Sequence, residues 1–163
     1  MYDPPVTGAA TTIAHAGGFI EIPSTAQSFQ ITSDQKVLVA QYMEGQDAGG
    51  NTGDPAMALA VPAEQFRSSY LFHAPVSYES NYVDVTAPMG ATVSLDGGAP
   101  LTFTPIGGSG YGLARVQALG LGPGNDGNHN IQGNMGFGIT VYGYGQYTSY
   151  WYPGGLNLDT IID

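Results

Sequence analysis

FGITVYGY (137–144) places Phe137, Ile139 and Val141 at every second position, with small or polar residues and two tyrosines between them. Successive side chains of a strand point to opposite faces, so this spacing describes a β-strand whose core side carries Phe137, Ile139 and Val141. The same period of two recurs at 19–22, 28–32, 36–43, 81–87, 91–95 and 111–119. Between these segments, Gly-Gly, Asp-Gly, Gly-Asn and Pro recur at intervals of roughly ten residues, the punctuation of sandwiches and jelly rolls. No long segment has helical periodicity; residues 62–66 form at most one short helical turn, with Pro62 suited to its first position. The fold these features predict is all-β, a two-layer β-sandwich or jelly-roll-like domain.

Composition agrees. Among 163 residues there are 25 Gly, 11 Pro and 11 Tyr, so the chain can build many turns between short strands. That length is enough to bury a core without staples, and with no cysteine the chain has neither disulfides nor thiol chemistry. With 13 acidic against 3 basic residues, the net charge is -10, which excludes nucleic acid as a partner because phosphate neutralisation needs Lys and Arg. Nothing in the sequence has the length and apolarity of a membrane span or a signal peptide, so membrane insertion is not expected.

Residues 1–16 read as an N-terminal extension or a truncated edge segment of a longer chain. Residues 17–163 read as the sandwich, with two fused β halves at 17–75 and 76–163 as an alternative division. Residues 31–46 laid on 131–146 match at Ile31/Ile131, Tyr42/Tyr142, Gly45/Gly145 and Gln46/Gln146, a weak sign of a duplicated β unit. Residues 36–43 carry apolar side chains on both parities and so predict a central, buried strand. The glycine-rich stretch 120–136 and residues 47–55 predict surface loops.

The segments VLVAQYM (37–43), GDPAM (53–57), VPAEQFRSSY (61–70), VTAP (85–88), VYGYG (141–145) and SYWYPGG (149–155) follow one another in an order and spacing that identify a relationship. From Gly17 onward the chain resembles the N-terminal domain of the IgGFc-binding protein family, in particular the later half of that domain as found in large bacterial secreted or surface proteins. The resemblance implies an extracellular or cell-surface setting, a role in adhesion, and no catalytic residues to carry over.

The residues themselves carry no enzyme signature. GGSGY (107–111) approaches the serine hydrolase elbow but has Tyr111 where the last glycine is required. His15, His73 and His129 lack metal-ligand spacing, and each reads as structural. Arg67 is expected to meet Glu64 across the short helical turn, and Arg115 to form a structural ion pair. No metal or organic cofactor is called for, with calcium as the one candidate ion. Glu44, Asp47, Asn51 and Asp54 offer hard oxygen ligands in a glycine-rich loop, and Asn125, Asp126, Asn128 and Asn130 form a second such group. The competing reading is that these Asp and Asn residues serve turns.

The candidate ligand or subunit contact is aromatic: Tyr142, Tyr144, Tyr147, Tyr150, Trp151 and Tyr152. Tyr142 and Tyr144 face away from the core side of their strand, and Tyr150 and Tyr152 share that parity unless a turn near 145–148 resets it. Two functions remain open. One is an adhesion module recognising a surface glycan or protein; the other is a structural subunit that assembles with copies of itself in a fibre or surface layer, through an unpaired sheet edge.

Overall fold

The computed structural model describes residues 1–48, 51–119 and 127–158. In chain order its strands are β1 (Tyr2–Asp3), β2 (Gln30–Ile31), β3 (Ala40–Tyr42), β4 (Met57–Leu59), β5 (Arg67–Ala74), β6 (Ser80–Pro88), β7 (Val93–Leu95), β8 (Thr104–Pro105), β9 (Tyr111–Leu119), β10 (Gly127–Gly145) and β11 (Thr148–Pro153). The helical content of the described residues is one 3-10 turn, Ala63–Gln65, directly after Pro62.

The long strand β10 belongs to both layers. Its first half lies between β5 and β7, with Ile131 opposite Tyr70 on one side and Leu95 on the other. Its second half lies between β6 and β11, with Tyr142 opposite Tyr82 and Trp151. The ladder to β5 loses register between Gln132 and Phe137, and this irregularity lets one strand turn from the first layer into the second. At the bend a Cβ on Gly138 would collide with the Phe66 ring, so glycine there lets the side chain following the 3-10 turn lie against the strand. The second layer continues outward from β6 through β9 to β8.

The core fills the space between the layers. Tyr70, Phe72 and Ala74 alternate along β5, and Val83, Val85 and Ala87 along β6; Val93, Ala114, Ile131, Phe137, Ile139 and Val141 complete it. The period-two reading of 81–87, 111–119 and 137–144 is thus realised, and the all-β two-layer architecture with it.

One contact ties the layers at their margin. Among the described residues no strand pairs with the outer edge of β5. There the Tyr152 hydroxyl, reaching over from β11, accepts a hydrogen bond from His73 N–H (3.1 Å) and donates one to His73 C=O (2.6 Å). A single phenol therefore satisfies both backbone groups of an edge residue.

Several expectations are corrected. Residues 36–43 are not a central buried strand. Only Ala40–Tyr42 is extended, paired with β4 alone, and Leu38 and Tyr42 are 78% and 73% exposed. Apolar side chains on both parities make two-sided burial favourable, but they do not supply the neighbours that would provide it. Residues 19–22 form no strand, and of 28–32 only Gln30–Ile31 pairs, with β1. The stretch 120–136 is not one loop, because from Gly127 it is the first half of β10.

The two copies of the weak repeat differ in structure: 131–145 is continuous strand, whereas 31–46 contains only the end of β2 and the short β3. A division at 75/76 would fall between β5 and β6, both of which pair with β10. Residues 1–16 are tied to the rest, since β1 pairs with β2 and Asp3 accepts a hydrogen bond from Gly108 N–H (3.2 Å).

Candidate functional site

The aromatic group is built on the outer face of the second layer. β6, β10 and β11 run side by side there, and their register places Tyr82, Tyr142 and Trp151 in one row across the three strands. Tyr82 and Tyr142 stack with ring centres 5.1 Å apart and planes within 9°. Tyr144 meets both edge-on, at 6.0 Å from Tyr82 and 5.9 Å from Tyr142, and Trp151 lies 6.2 Å from Tyr142. Such cross-strand aromatic pairs stabilise a sheet beyond the area they bury.

Polar groups flank the row. Asp84 accepts two hydrogen bonds from the Arg115 guanidinium, each 2.9 Å, and one from the Tyr142 hydroxyl at 3.2 Å. Arg115 thus forms the expected structural ion pair, and the hydrogen bonding to Asp84 holds its guanidinium above the ordinary range. Arg67 does not stay on the short turn with Glu64. It begins β5, and its guanidinium carbon lies 5.8 Å from the centre of the Tyr70 ring.

The structure sorts the six predicted contact residues into two groups. Tyr142 is only 8% exposed and sits at the centre of the cluster. Tyr144 and Trp151 are half-buried, and Tyr147 is exposed at the turn, with φ 54°. Tyr150 and Tyr152 do not share the face of Tyr142. The turn after Gly145 resets the parity, so they stand opposite Gly143 and Val141 and pack against the core, while Trp151 takes the outer face. The Tyr150 hydroxyl donates to Asn81 Oδ1 at 2.6 Å. Sequence reasoning missed Tyr82 and Asp84, and it gave Arg115 an ion pair without its partner. Their alternation along β6 and β9 was visible, but their place beside Tyr142 depends on which strands pair.

Burial pushes the Tyr142 phenol well above its usual range, and the Asp84 carboxylate adds to the effect against the opposing charge of Arg115. Tyr144 is raised mainly by burial and then by Tyr82, and burial also raises Tyr70 and Tyr152. A phenol whose folded pKa is raised contributes stability that is fully present below the unfolded value of about 10 and lost as pH rises through the folded value. The fold should therefore hold its stability to about pH 9 and lose it above about pH 10. In a phenolate absorbance titration, these four tyrosines should ionise only with unfolding. If all 11 tyrosines ionised together while the fold stayed intact, the described burial would be wrong.

The candidate calcium loop has another visible task. Gly53 N–H donates to Gly145 C=O (2.7 Å), Asp54 N–H to Ser149 Oγ (3.0 Å), and Gln46 Oε1 accepts from Tyr147 N–H (2.8 Å). Gln46, Gly53 and Asp54 thereby brace the β10–β11 turn. Asn51 adopts φ 72°, a turn conformation open to Asn, while Glu44, Asp47 and Asp54 are exposed. Among the described residues no three His, Asp or Glu side chains are close enough to hold a metal ion.

Of the second group, Asn125 and Asp126 lie outside the described residues. Asn128 Oδ1 is 3.0 Å from His73 Nδ1, and Asn130 donates its N–H to Asp96 at 2.9 Å. His129, 5% exposed, stacks on Phe72 and places Nδ1 2.7 Å from the Asp96 carboxylate. Ser109 of the near-elbow motif caps a turn by donating to Ile106 C=O at 2.6 Å.

A family model described as IgGFc binding protein matches residues 1–143. The chain belongs to the IgGFc-binding family. The match begins ahead of Gly17, where the sequence resemblance starts, and ends before SYWYPGG (149–155), so β11 with Trp151 and Tyr152 lies beyond it. No curated protein and no solved structure matches the chain. The IgGFc-binding family takes its description from binding rather than catalysis, and no helix among the described residues is long and apolar enough to cross a membrane.

Proposed function

We propose that this domain acts outside the cell as a binding module that recognises a glycan or protein ligand on another surface. The observation that carries this reading is the family match across residues 1–143. The contacts proposed for a protein ligand are the accessible members of the aromatic group, Tyr144, Tyr147 and Trp151, joined by half-buried Tyr82. Rings with large apolar area and a polar tip suit such a surface. Tyr142, Tyr150 and Tyr152 are committed to packing and hydrogen bonds inside the domain.

A second reading, a structural subunit that assembles with its own copies, draws on the outer edge of β5, along which Leu71 is 79% exposed. Binding to an immobilised IgG Fc fragment, with solution mass measured across concentration, tests both. Saturable binding that weakens about tenfold in Tyr144→Ser/Tyr147→Ser supports the module. Mass that grows with concentration in the absence of Fc or surface-glycan binding supports assembly, and a monomer that binds neither overturns both.

A further inference from the structure

The outer face of the first layer differs in chemistry from the aromatic face. Along β10, Asn128, Asn130 and Gln132 occupy successive outward positions, opposite His73, Leu71 and Ser69 of β5, with Ser94 of β7 beside Gln132. Asn is a poor strand former, and solvent alone gives no reason to place two of them with a Gln in the middle of a paired strand. Asn128 is engaged by His73. The side-chain amides of Asn130 and Gln132 have no hydrogen-bond partner among the described residues.

These two side chains form a ridge between two hollows. One, a shallow hollow of about 220 Å³, is also lined by Ser94, Asp96 and Gly97. The other, an open hollow of about 470 Å³, is also lined by Arg67, Ser69, Tyr70, Leu71 and Gly154. Each free amide offers two donors and an acceptor, the neighbouring serines add hydroxyls, and Leu71 supplies one exposed apolar surface. That combination matches a ligand that pairs donor and acceptor at every hydroxyl and presents C–H faces between them. The net charge of -10, with Asp96 lining the smaller hollow, disfavours an anionic ligand, and Arg67 of the larger hollow is engaged over the Tyr70 ring.

We infer that the Asn130–Gln132 ridge with its two hollows is a binding site for a neutral saccharide, separate from the aromatic face. The inference rests on the reading of the domain as a binding module and names a ligand class and a site for it. The test is titration of the 15N-labelled domain with N-acetyllactosamine and with mannotriose, following the side-chain amide signals, with 3′-sialyllactose as the charged counterpart. Saturable shifts of Asn130 and Gln132 with a neutral probe are expected. Asn130→Ala/Gln132→Ala should weaken binding at least about tenfold. No shift with either neutral probe, or binding that the ridge variant leaves intact, overturns the site. If Fc binding is retained in either case, the binding module stands and only the saccharide site falls.

Discussion

Tyr142→Ser should cost about 3–5 kcal/mol of folding stability, the scale for emptying a buried aromatic position, whereas Tyr147→Ser should move it by less than about 0.5 kcal/mol. Tyr142 is covered by Tyr82, Tyr144 and Trp151. Its loss leaves a cavity beneath three rings and removes one hydrogen bond from Asp84. Tyr147 stands at an exposed turn, where truncation empties nothing. Urea unfolding midpoints at equal m-value measure the difference. A Tyr142→Ser domain within about 1 kcal/mol of the parent would mean that the outer face of the second layer is open, and the aromatic row would return as a whole to the candidate contact surface.

Asn81→Ala should be nearly as damaging, at about 2–3 kcal/mol. Asn81 is fully buried, donates from Nδ2 to Pro75 C=O (3.1 Å) and accepts the Tyr150 hydroxyl proton at Oδ1 (2.6 Å). Removing it strands an acceptor on the chain before β6 and leaves the phenol on β11 without that acceptor. Tyr150→Phe removes only the donor and should cost about 1–2 kcal/mol. Because both changes break the same hydrogen bond, the double variant should be less destabilised than the sum by about 1 kcal/mol. Strict additivity would show that Asn81 and Tyr150 act independently.

Much of this architecture can be read from local pattern. The alternation at 81–87, 111–119 and 137–144 names strands and their core faces, because burial on one face imposes the period directly. Glycine defeats the same reading at 127–136. A residue without a side chain signals a loop in the sequence, yet at Gly133 it is the condition for the Phe137 ring to lie against the strand.

Residues 36–43 fail in the opposite sense. Their apolar side chains promise two-sided burial, but β3 has one short neighbour. The aromatic site was half legible. Tyr142 and Tyr144 could be placed on the outer face of their strand from parity, but that Tyr82 stacks on one of them is a fact of long-range pairing. A single turn at Gln146 and Tyr147 sent Tyr150 and Tyr152 inward. Of the amide ridge on β10, Asn130 reads in the sequence as a calcium ligand or a turn residue and Gln132 gives no signal, since the glycine-rich stretch around them predicts a loop.

The Tyr152 hydroxyl at His73 also decides how the domain can be extended. A strand arriving along β5 would need the N–H and C=O of His73 to continue its ladder, and both are already taken by a side chain from the opposite layer. Only the Ser69–Leu71 stretch remains for backbone pairing, too short to hold a second chain in one register without side-chain recognition. The phenol works as a stopper: it limits indiscriminate growth at this margin and makes any lasting attachment there depend on what the neighbouring side chains select.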